Sequence, residues 1–302
     1  MERRDFLKAA AAAGVGLAIP DKLNTLLHAA TTAVTQRIDL AICHGASPAA
    51  ITRAAVDALG GMRHFISKGD VVVVKPNIGW DRTPEQAANT NPLVVATLVL
   101  MCYEAGAKKV KVFDRSCDDA RRCYVQSGIP LAAEAAGAEV SFINDRKFKE
   151  VAIGGERIKS WLLYTELLEA DKIINVPIAK THSLAKLTMS LKNWMGVMGG
   201  PRGRIHQGID EALVDLALVI KPALTVLDAV RILTANGPTG GSLNDVKKLD
   251  TVIAGVDQIA IDSYGATLFG MTGNDLGFVR AGARRGIGTM DLSKLSIKKI
   301  EA

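Results

Sequence analysis

The sequence predicts a three-layer α/β protein, in which a mostly parallel β-sheet carries helices on both faces. Short apolar runs alternate along the chain with segments of helical periodicity, an order typical of βα units. Residues 71–74 are four consecutive valines, which predicts a strand buried on both faces. A chain of 302 residues with 48% hydrophobic content is also long enough to bury a large core.

Strands are predicted where segments of four to seven residues are rich in apolar or β-branched side chains. In chain order they are residues 37–43, 71–74, 109–113, 139–143, 172–176, 223–227, 251–254 and 295–300. A hairpin is predicted around Gly154-Gly155, between the segments 151–153 and 157–159.

Helices are predicted between these strands from apolar spacing and from residues that start or stop helices. Their ranges are 48–59, 92–104, 130–136, 184–193, 209–219, 258–268 and 277–285. Pro92 suits a first helical turn, and Gly106 and Gly137 follow helix ends. Segment 181–209 is the main irregular insertion and is predicted to form a lid or sub-lobe.

The first residues predict export. Arg3-Arg4 with Phe6-Leu7-Lys8, followed by the weakly apolar stretch 9–19 and Pro20, resembles a twin-arginine (Tat) signal. This predicts residues 1–33 as signal peptide or tether and 34–302 as one domain, with the Tat translocase as a partner. The destination is periplasmic or otherwise extracytoplasmic, and membrane tethering through an uncleaved signal is left open.

Composition limits the remaining function classes. The net charge of +6 is spread along the chain without a basic block, so no nucleic acid is expected as partner. No apolar run reaches 18 residues, which argues against an ordinary transmembrane helix. A small anionic molecule is the partner that fits this composition.

Polar residues follow several predicted strands at their carboxyl ends, where ligands bind in open parallel sheets. Five strand ends lead into Lys75-Pro76-Asn77, Asp114, Lys180-Thr181-His182, Asp228 and Asp257. We expect these groups to converge on one edge. Lys75 and Asn77, beside a proline that fixes the backbone, offer an ammonium and an amide to an oxyanion.

Two loops are expected to complete an anion site. Lys192 and Asn193 come at the end of the predicted helix 184–193, and the glycine-rich segment after them leads to Arg202. Such a segment suits close backbone approach to a phosphate or carboxylate. The loop at Asn236 is either a plain Gly/Pro turn or a flap over the site.

His182, Asp114 and Lys180 are the predicted catalytic residues, with His182 and Asp114 as an acid/base or metal-binding pair. His206 and His44 are further histidine candidates. A metal ion therefore stays open as a cofactor. The cysteines are Cys43, Cys102, Cys117 and Cys123, and the spacing of the last two allows a disulfide.

Together these residues resemble the family of proteins with domain of unknown function 362 (DUF362), over residues 70–270. The motifs that carry the resemblance are Lys75-Pro76-Asn77, Thr90-Asn91-Pro92, 106–110, Ile174-Asn175-Val176-Pro177, Lys180-Thr181-His182, Leu191-Lys192-Asn193 with Gly196, Asn236-Gly237-Pro238, and Asp257 with Asp262. The resemblance implies the fold and the site, and it names no reaction. Some relatives carry an iron–sulfur segment of C-x2-C-x2-C type, which this chain lacks.

The sequence thus predicts an exported enzyme that acts on a phosphorylated or carboxylated small molecule. Its predicted substrate-binding residues are Lys75, Asn77, Lys192, Asn193, Arg202, Asp228 and Asn236. Two alternatives stay open: an exported redox or metal protein with a redox partner, resting on the cysteines and histidines, and an anion-binding protein without catalysis.

Overall fold

The structure is a computed structural model that describes residues 37–302. The predicted signal segment 1–33 lies outside these residues. The strands are β1 (Leu40–His44), β2 (Val71–Pro76), β3 (Lys109–Val112), β4 (Glu139–Val140), β5 (Phe148–Ala152), β6 (Ser160–Tyr164), β7 (Lys172–Val176), β8 (Ile178–His182), β9 (Lys186–Thr188), β10 (Leu224–Leu233), β11 (Val246–Gly255) and β12 (Ile297–Glu301).

The α-helices alternate with these strands. They are α1 (Pro48–Ala58), α2 (Pro92–Ala105), α3 (Ala120–Ser127), α4 (Ile129–Ala135), α5 (Thr165–Leu168), α6 (Ile209–Val219), α7 (Gln258–Thr267) and α8 (Gly277–Arg284). Two 3-10 helices, Leu191–Val197 and Arg202–Gly208, lie between β9 and α6.

One large sheet organises the described residues, in the order β12-β1-β11-β10-β7-β2-β3-β4. All neighbours along this order are parallel except the two pairs that include β11. Strand β8 extends the sheet beside the far half of β10, and β9 folds back on β8. Strands β5 and β6 form the predicted hairpin. The predicted mostly parallel α/β architecture is confirmed.

Helices cover both faces of the sheet, as the sequence predicted. On one face Val72 and Val74 pack in a core shared with α1 and α2. On the other face Val73 belongs to a core that includes α6, α7 and the 3-10 helix Leu191–Val197. Alternate valines of β2 therefore serve opposite cores, and each contributes roughly 1.5–3 kcal/mol by leaving water.

Short local signals set the helix ends. Asn91 accepts a hydrogen bond from the Leu93 N–H in the first turn of α2, and Pro92 needs no partner there. The helix stops at Gly106, which has φ of 104°. This places the loop that ends with Asn91 next to the carboxyl ends of the central strands.

The predicted helix 184–193 is wrong. The chain instead makes the β8–β9 hairpin and then a 3-10 helix from Leu191. Apolar Leu187, Met189 and Leu191 alternate with polar Thr188 and Ser190, which is the period of a strand. The backbone N–H groups of Ser190 and Leu191 donate to the buried carboxylate of Asp262, and this contact ends the extended segment.

The expectation that Asp257 joins the other strand ends is also wrong. Strand β11 runs antiparallel to β10, so its carboxyl end lies at the opposite edge of the sheet. Asp257 caps α7 there by accepting from the N–H groups of Ile259 and Ala260, and it also accepts from Thr289. An apolar strand does not reveal its direction by composition.

Candidate functional site

A cavity of about 560 Å³ opens where β2, β3 and β8 end, against the two 3-10 helices. It collects most of the predicted site residues. Its lining includes Asn77, Asp114, Lys180, His182, Lys192, Asn193 and Arg202. The division of 34–302 as one domain and the lid at 181–209 stay predictions, although much of the latter segment forms a wall of this cavity.

Lys75 lies directly behind the cavity and is fully buried. Its Nζ is 2.7 Å from Asp114 Oδ1, 2.7 Å from the Pro76 carbonyl and 3.1 Å from Asn193 Oδ1. These three acceptors use all donors of the ammonium. Burial lowers the pKa of Lys75, while the Asp114 carboxylate acts in the opposite direction. In this geometry Lys75 fixes Asp114 and has no donor left for a ligand.

Asp114 is the carboxylate of the cavity. Its second oxygen accepts from the Ile78 N–H at 2.6 Å, so both oxygens are held. Gly196 passes directly over this ion pair, and a Cβ built on Gly196 would overlap Asp114 Oδ1. The backbone of the 3-10 helix can approach the pair this closely only because position 196 lacks a side chain.

Three asparagines extend this network across the strand ends. Asn193 donates to the Lys75 carbonyl at 3.2 Å and to Asn175 Oδ1 at 2.9 Å. Its own Oδ1 accepts from Asn77 Nδ2 at 3.3 Å. The amides thus tie β2, β7 and the 3-10 helix together, and they hold the floor of the cavity rigid.

Lys180 is fully buried and touches the cavity. Its Nζ donates to the Ala88 carbonyl at 2.5 Å and to Asn77 Oδ1 at 3.3 Å, and it lies 5.8 Å from the centre of the Trp80 ring. Burial lowers the pKa of Lys180 to about 7, and the neighbouring Lys192 and Lys75 cations act in the same direction. Near neutral pH this ammonium can give up and regain a proton.

Lys192, unlike Lys75, has no oxygen hydrogen-bond partner among residues 37–302. Its side chain is 8% exposed, and its Nζ lies 3.3 Å from the thioether Sδ of Met195. Burial lowers the pKa of Lys192 to about 8, with the Arg202 cation in the same direction. Thr188, also in the lining, has a buried Oγ1 without a hydrogen-bond partner among the described residues. These two groups are available to a ligand.

Arg202 serves mainly to build the wall. Its guanidinium donates to the carbonyls of Arg115 at 2.8 Å, Met195 at 3.0 Å and Ser116 at 2.7 Å. It also lies 3.3 Å from Cys117 Sγ. The side chain therefore holds the turn after β3 and leaves a positive charge beside the cavity without a carboxylate partner.

His182 carries its proton on Nε2. Its Nδ1 accepts hydrogen bonds from the N–H groups of Leu184 at 3.1 Å and Ala185 at 3.2 Å. A backbone N–H can only donate, so Nδ1 holds the lone pair. Burial and the Lys192 cation lower the pKa of His182 to about 3. The imidazole is neutral at physiological pH, and its Nε2–H is a hydrogen-bond donor.

His206 has the opposite tautomer. Its Nδ1 lies 2.9 Å from the Gly203 carbonyl, which can only accept, so Nδ1 carries the proton and Nε2 the lone pair. The rings of His182 and His206 stack with centroids 5.6 Å apart and an angle of 17° between planes. Burial lowers the pKa of His206 as well. Of the two, His206 is the side chain equipped to accept a proton.

Two predicted binding residues lie elsewhere. Asp228 is buried within β10, where it accepts from the N–H groups of Asn91 at 2.7 Å and Val230 at 2.9 Å, and burial raises its pKa to about 6. Asn236 is exposed and donates to Asp245 Oδ2 at 2.8 Å. Neither lines the cavity, which the loop after β10 reaches through Pro238.

The candidate metal and disulfide residues are dispersed. His44 is exposed and pairs with Glu301 at 2.8 Å, and Cys43 is buried in β1. Within residues 37–302, no three His, Cys, Asp or Glu side chains are grouped so as to hold a metal ion. Cys117 and Cys123 are both free thiols in the structure.

Trp80 and Thr188 are residues of the lining that the sequence did not single out. Trp80 follows the end of β2, so the strand-end rule could have included it. Thr188 was hidden because its segment was read as a helix. The roles of the two histidines depend on backbone contacts that no sequence pattern gives.

Fold and site together define an α/β protein with a cation-rich cavity at the carboxyl edge of its sheet. Residues 72–267 match the family Domain of unknown function (DUF362), and residues 1–20 match the twin-arginine translocation pathway signal. The chain belongs to the DUF362 family. The signal confirms the prediction of export through the Tat translocase.

Individual relatives are more distant. The chain is 30% identical over 219 residues to the Thylakoid-associated protein of Synechocystis sp., an alignment that covers 70% of this chain and 66% of that one. The lactate racemase apoprotein of Thermoanaerobacterium thermosaccharolyticum gives a TM-score of 0.44 at 13% identity, over 73% of this chain and 54% of that one. A Thermotoga maritima protein gives 0.40 at 13%, over 78% and 57%.

The match therefore spans less than two thirds of each of these proteins.

No helix in the described part of the chain is both long enough and apolar enough to cross a membrane.

Proposed function

We propose that this protein is an exported enzyme that binds a phosphorylated or carboxylated small molecule in the strand-end cavity. The observation that supports this most strongly is Lys192, a buried ammonium without an oxygen partner in the described part of the chain. Burying a cation without a counter-charge costs free energy, and a bound anion would remove that cost.

The charges of the lining support the same ligand class. Arg115, Lys180, Lys192 and Arg202 are the cations of this lining, and Asp114 is its one carboxylate. Asp114 is already paired with Lys75 behind the wall. A cavity lined by one sign of charge with buried walls raises the local concentration of the opposite ion.

The proposed chemistry is proton transfer to and from the bound molecule. His206 Nε2 accepts a proton, and His182 Nε2–H donates a hydrogen bond to the developing charge. Lys180, whose pKa is lowered by burial to about 7, exchanges a proton near neutral pH. Asp114, held by Lys75, contributes its negative charge to the electrostatic potential at the floor of the cavity. This assigns the base role to His206 where the sequence pointed to His182.

The first test is binding of inorganic phosphate, followed by small phosphorylated and carboxylated metabolites, by isothermal titration calorimetry. Lys192→Met should lower the affinity by about tenfold or more, since a charge-assisted hydrogen bond contributes about 1.5–3 kcal/mol. Lys221→Met is the matched control, because Lys221 is exposed before the amino end of β10, at the other edge of the sheet. Equal affinities in native protein and Lys192→Met would refute the site.

A second variant separates an enzyme from a binding protein. His206→Gln should keep phosphate affinity within a few fold, because its role is proton acceptance, and should abolish turnover of any substrate found in the metabolite screen. Tight binding with no turnover of any bound metabolite by native protein would instead favour the non-catalytic alternative.

A further inference from the structure

Cys117 is the exposed cysteine among the described residues, while Cys43, Cys102 and Cys123 are buried. It lies in the turn after β3 and lines the cavity. Its Sγ is 3.3 Å from Arg202 Nη2. The protein is exported by the twin-arginine route, and thiols outside the cytoplasm meet small disulfides and oxidants.

A second observation marks the space around this thiol as a binding place. Thr188 is only 4% exposed, lines the same cavity, and its Oγ1 has no partner within residues 37–302. Lys192, equally part of the lining, has no oxygen partner among these residues either. A donor and an ammonium without acceptors are thus buried in the wall of the cavity that Cys117 lines, and both suit a carboxylate.

We propose that Cys117 is a thiol–disulfide exchange site for small acidic disulfides, which the cations of the cavity select. The inference rests on the anion-binding part of the proposed function and not on turnover. A mixed disulfide at Cys117 would occupy the cavity and exclude the anionic ligand, so the modification also regulates binding.

The exchange step is balanced without a further reactant. Cys117 loses its proton to solvent, and its sulfur attacks one sulfur of the incoming disulfide. The new S–S bond forms as the old one breaks, and the second half of the reagent leaves as a thiolate. A free thiol reverses the step by the same route.

Two chromogenic disulfides test this on the full folded protein. 5,5′-Dithiobis(2-nitrobenzoate) carries a carboxylate on each half, and 4,4′-dithiodipyridine is uncharged. Native protein should show one fast thiol with the anionic reagent, and Cys117→Ser should show none. Lys192→Met should reduce the ratio of anionic to neutral rates by about tenfold, as loss of a focusing charge does.

The rate of reaction with the neutral reagent shows whether each variant keeps its fold around Cys117. Lys192→Gln provides a second substitution at the same position. Lys221→Met should leave the rate ratio unchanged. Saturating inorganic phosphate should slow the anionic reagent in native protein. A fast thiol that persists in Cys117→Ser, or a rate ratio that Lys192→Met leaves unchanged, overturns the inference.

The outcomes also separate the two proposals. Phosphate binding without charge-selective reaction at Cys117 overturns the thiol site alone. Charge-selective reaction of Cys117 without phosphate binding keeps the thiol site and overturns phosphate as the class of ligand.

Discussion

Two buried lysines, Lys75 behind the cavity and Lys192 in its lining, have opposite surroundings. The Lys75 network, made of Lys75, Asn77, Asp114 and Asn193, fills every donor of its ammonium with an acceptor. The Lys192 cluster, made of Thr188, Lys192, His206 and Cys117, contains groups without such partners. Residues 192 and 193 are adjacent in the chain, yet they belong to different sets.

The difference separates a buried lysine that stabilises the fold from one that is available to bind a ligand. A buried charge whose partners are complete has nothing to offer a ligand, and its loss damages the fold. A buried charge whose partners are missing destabilises the empty protein and favours whatever supplies the missing oxygen. Under the proposed function, Lys75 and Asp114 therefore build the floor of the cavity, and Lys192 on the 3-10 helix contacts the ligand.

The largest expected effect comes from breaking the Lys75 network. Asp114→Asn removes the counter-charge of a fully buried ammonium, which should cost about 3–5 kcal/mol of unfolding free energy. Urea denaturation followed by circular dichroism measures the loss. The double variant Lys75→Met/Asp114→Asn should lose less than the single variant, because no unpaired charge is left. A loss below about 1 kcal/mol in Asp114→Asn would contradict this assignment.

An intermediate effect is expected from Lys192→Met, which should change the free energy of unfolding in the opposite direction to Asp114→Asn. Lys192→Met removes an unpaired buried cation, so at pH 7 the variant should be as stable as native protein or more stable. The pKa of Lys192 is lowered by burial to about 8, so between pH 8 and about 10.4 the unfolded chain binds more protons than the folded one. Native protein should therefore gain stability relative to the variant across that window.

Urea denaturation of both proteins at pH 7 and pH 10 measures this difference. Phosphate affinity of native protein should fall over the same range, as Lys192 loses its proton above pH 8. A gap that widens with pH, in favour of the variant, would show that Lys192 has an acceptor in solution.

The smallest expected effect concerns the tautomers of His182 and His206, which a spectroscopic measurement detects. His182 should show the Nε2–H tautomer and stay neutral down to about pH 3, and His206 should show the Nδ1–H tautomer. Two-bond ¹H–¹⁵N correlation spectra of histidine-labelled protein distinguish the two forms. His44, which is exposed, is the reference histidine. An Nδ1–H signal for His182 would return it to the role of base.

The sequence predicted the layered sheet well because continuous valine runs and helix caps are local signals. It also predicted that Asn77, Asp114 and Lys180 meet at one edge, which follows from parallel strands. The direction of β11 was not predictable, because its composition suits either orientation. The prediction for Asp228 failed because β10 continues six residues beyond the predicted end at residue 227, to Leu233.

Gly196 sets a limit on how this chain can vary. The 3-10 helix crosses the Lys75–Asp114 pair with room for a hydrogen atom, and even the methyl group of alanine would occupy the place of a carboxylate oxygen. Any replacement must therefore separate the helix from the ion pair and lift Lys192 with it. A side chain at position 196 therefore acts on the Lys75–Asp114 pair and on Lys192 together.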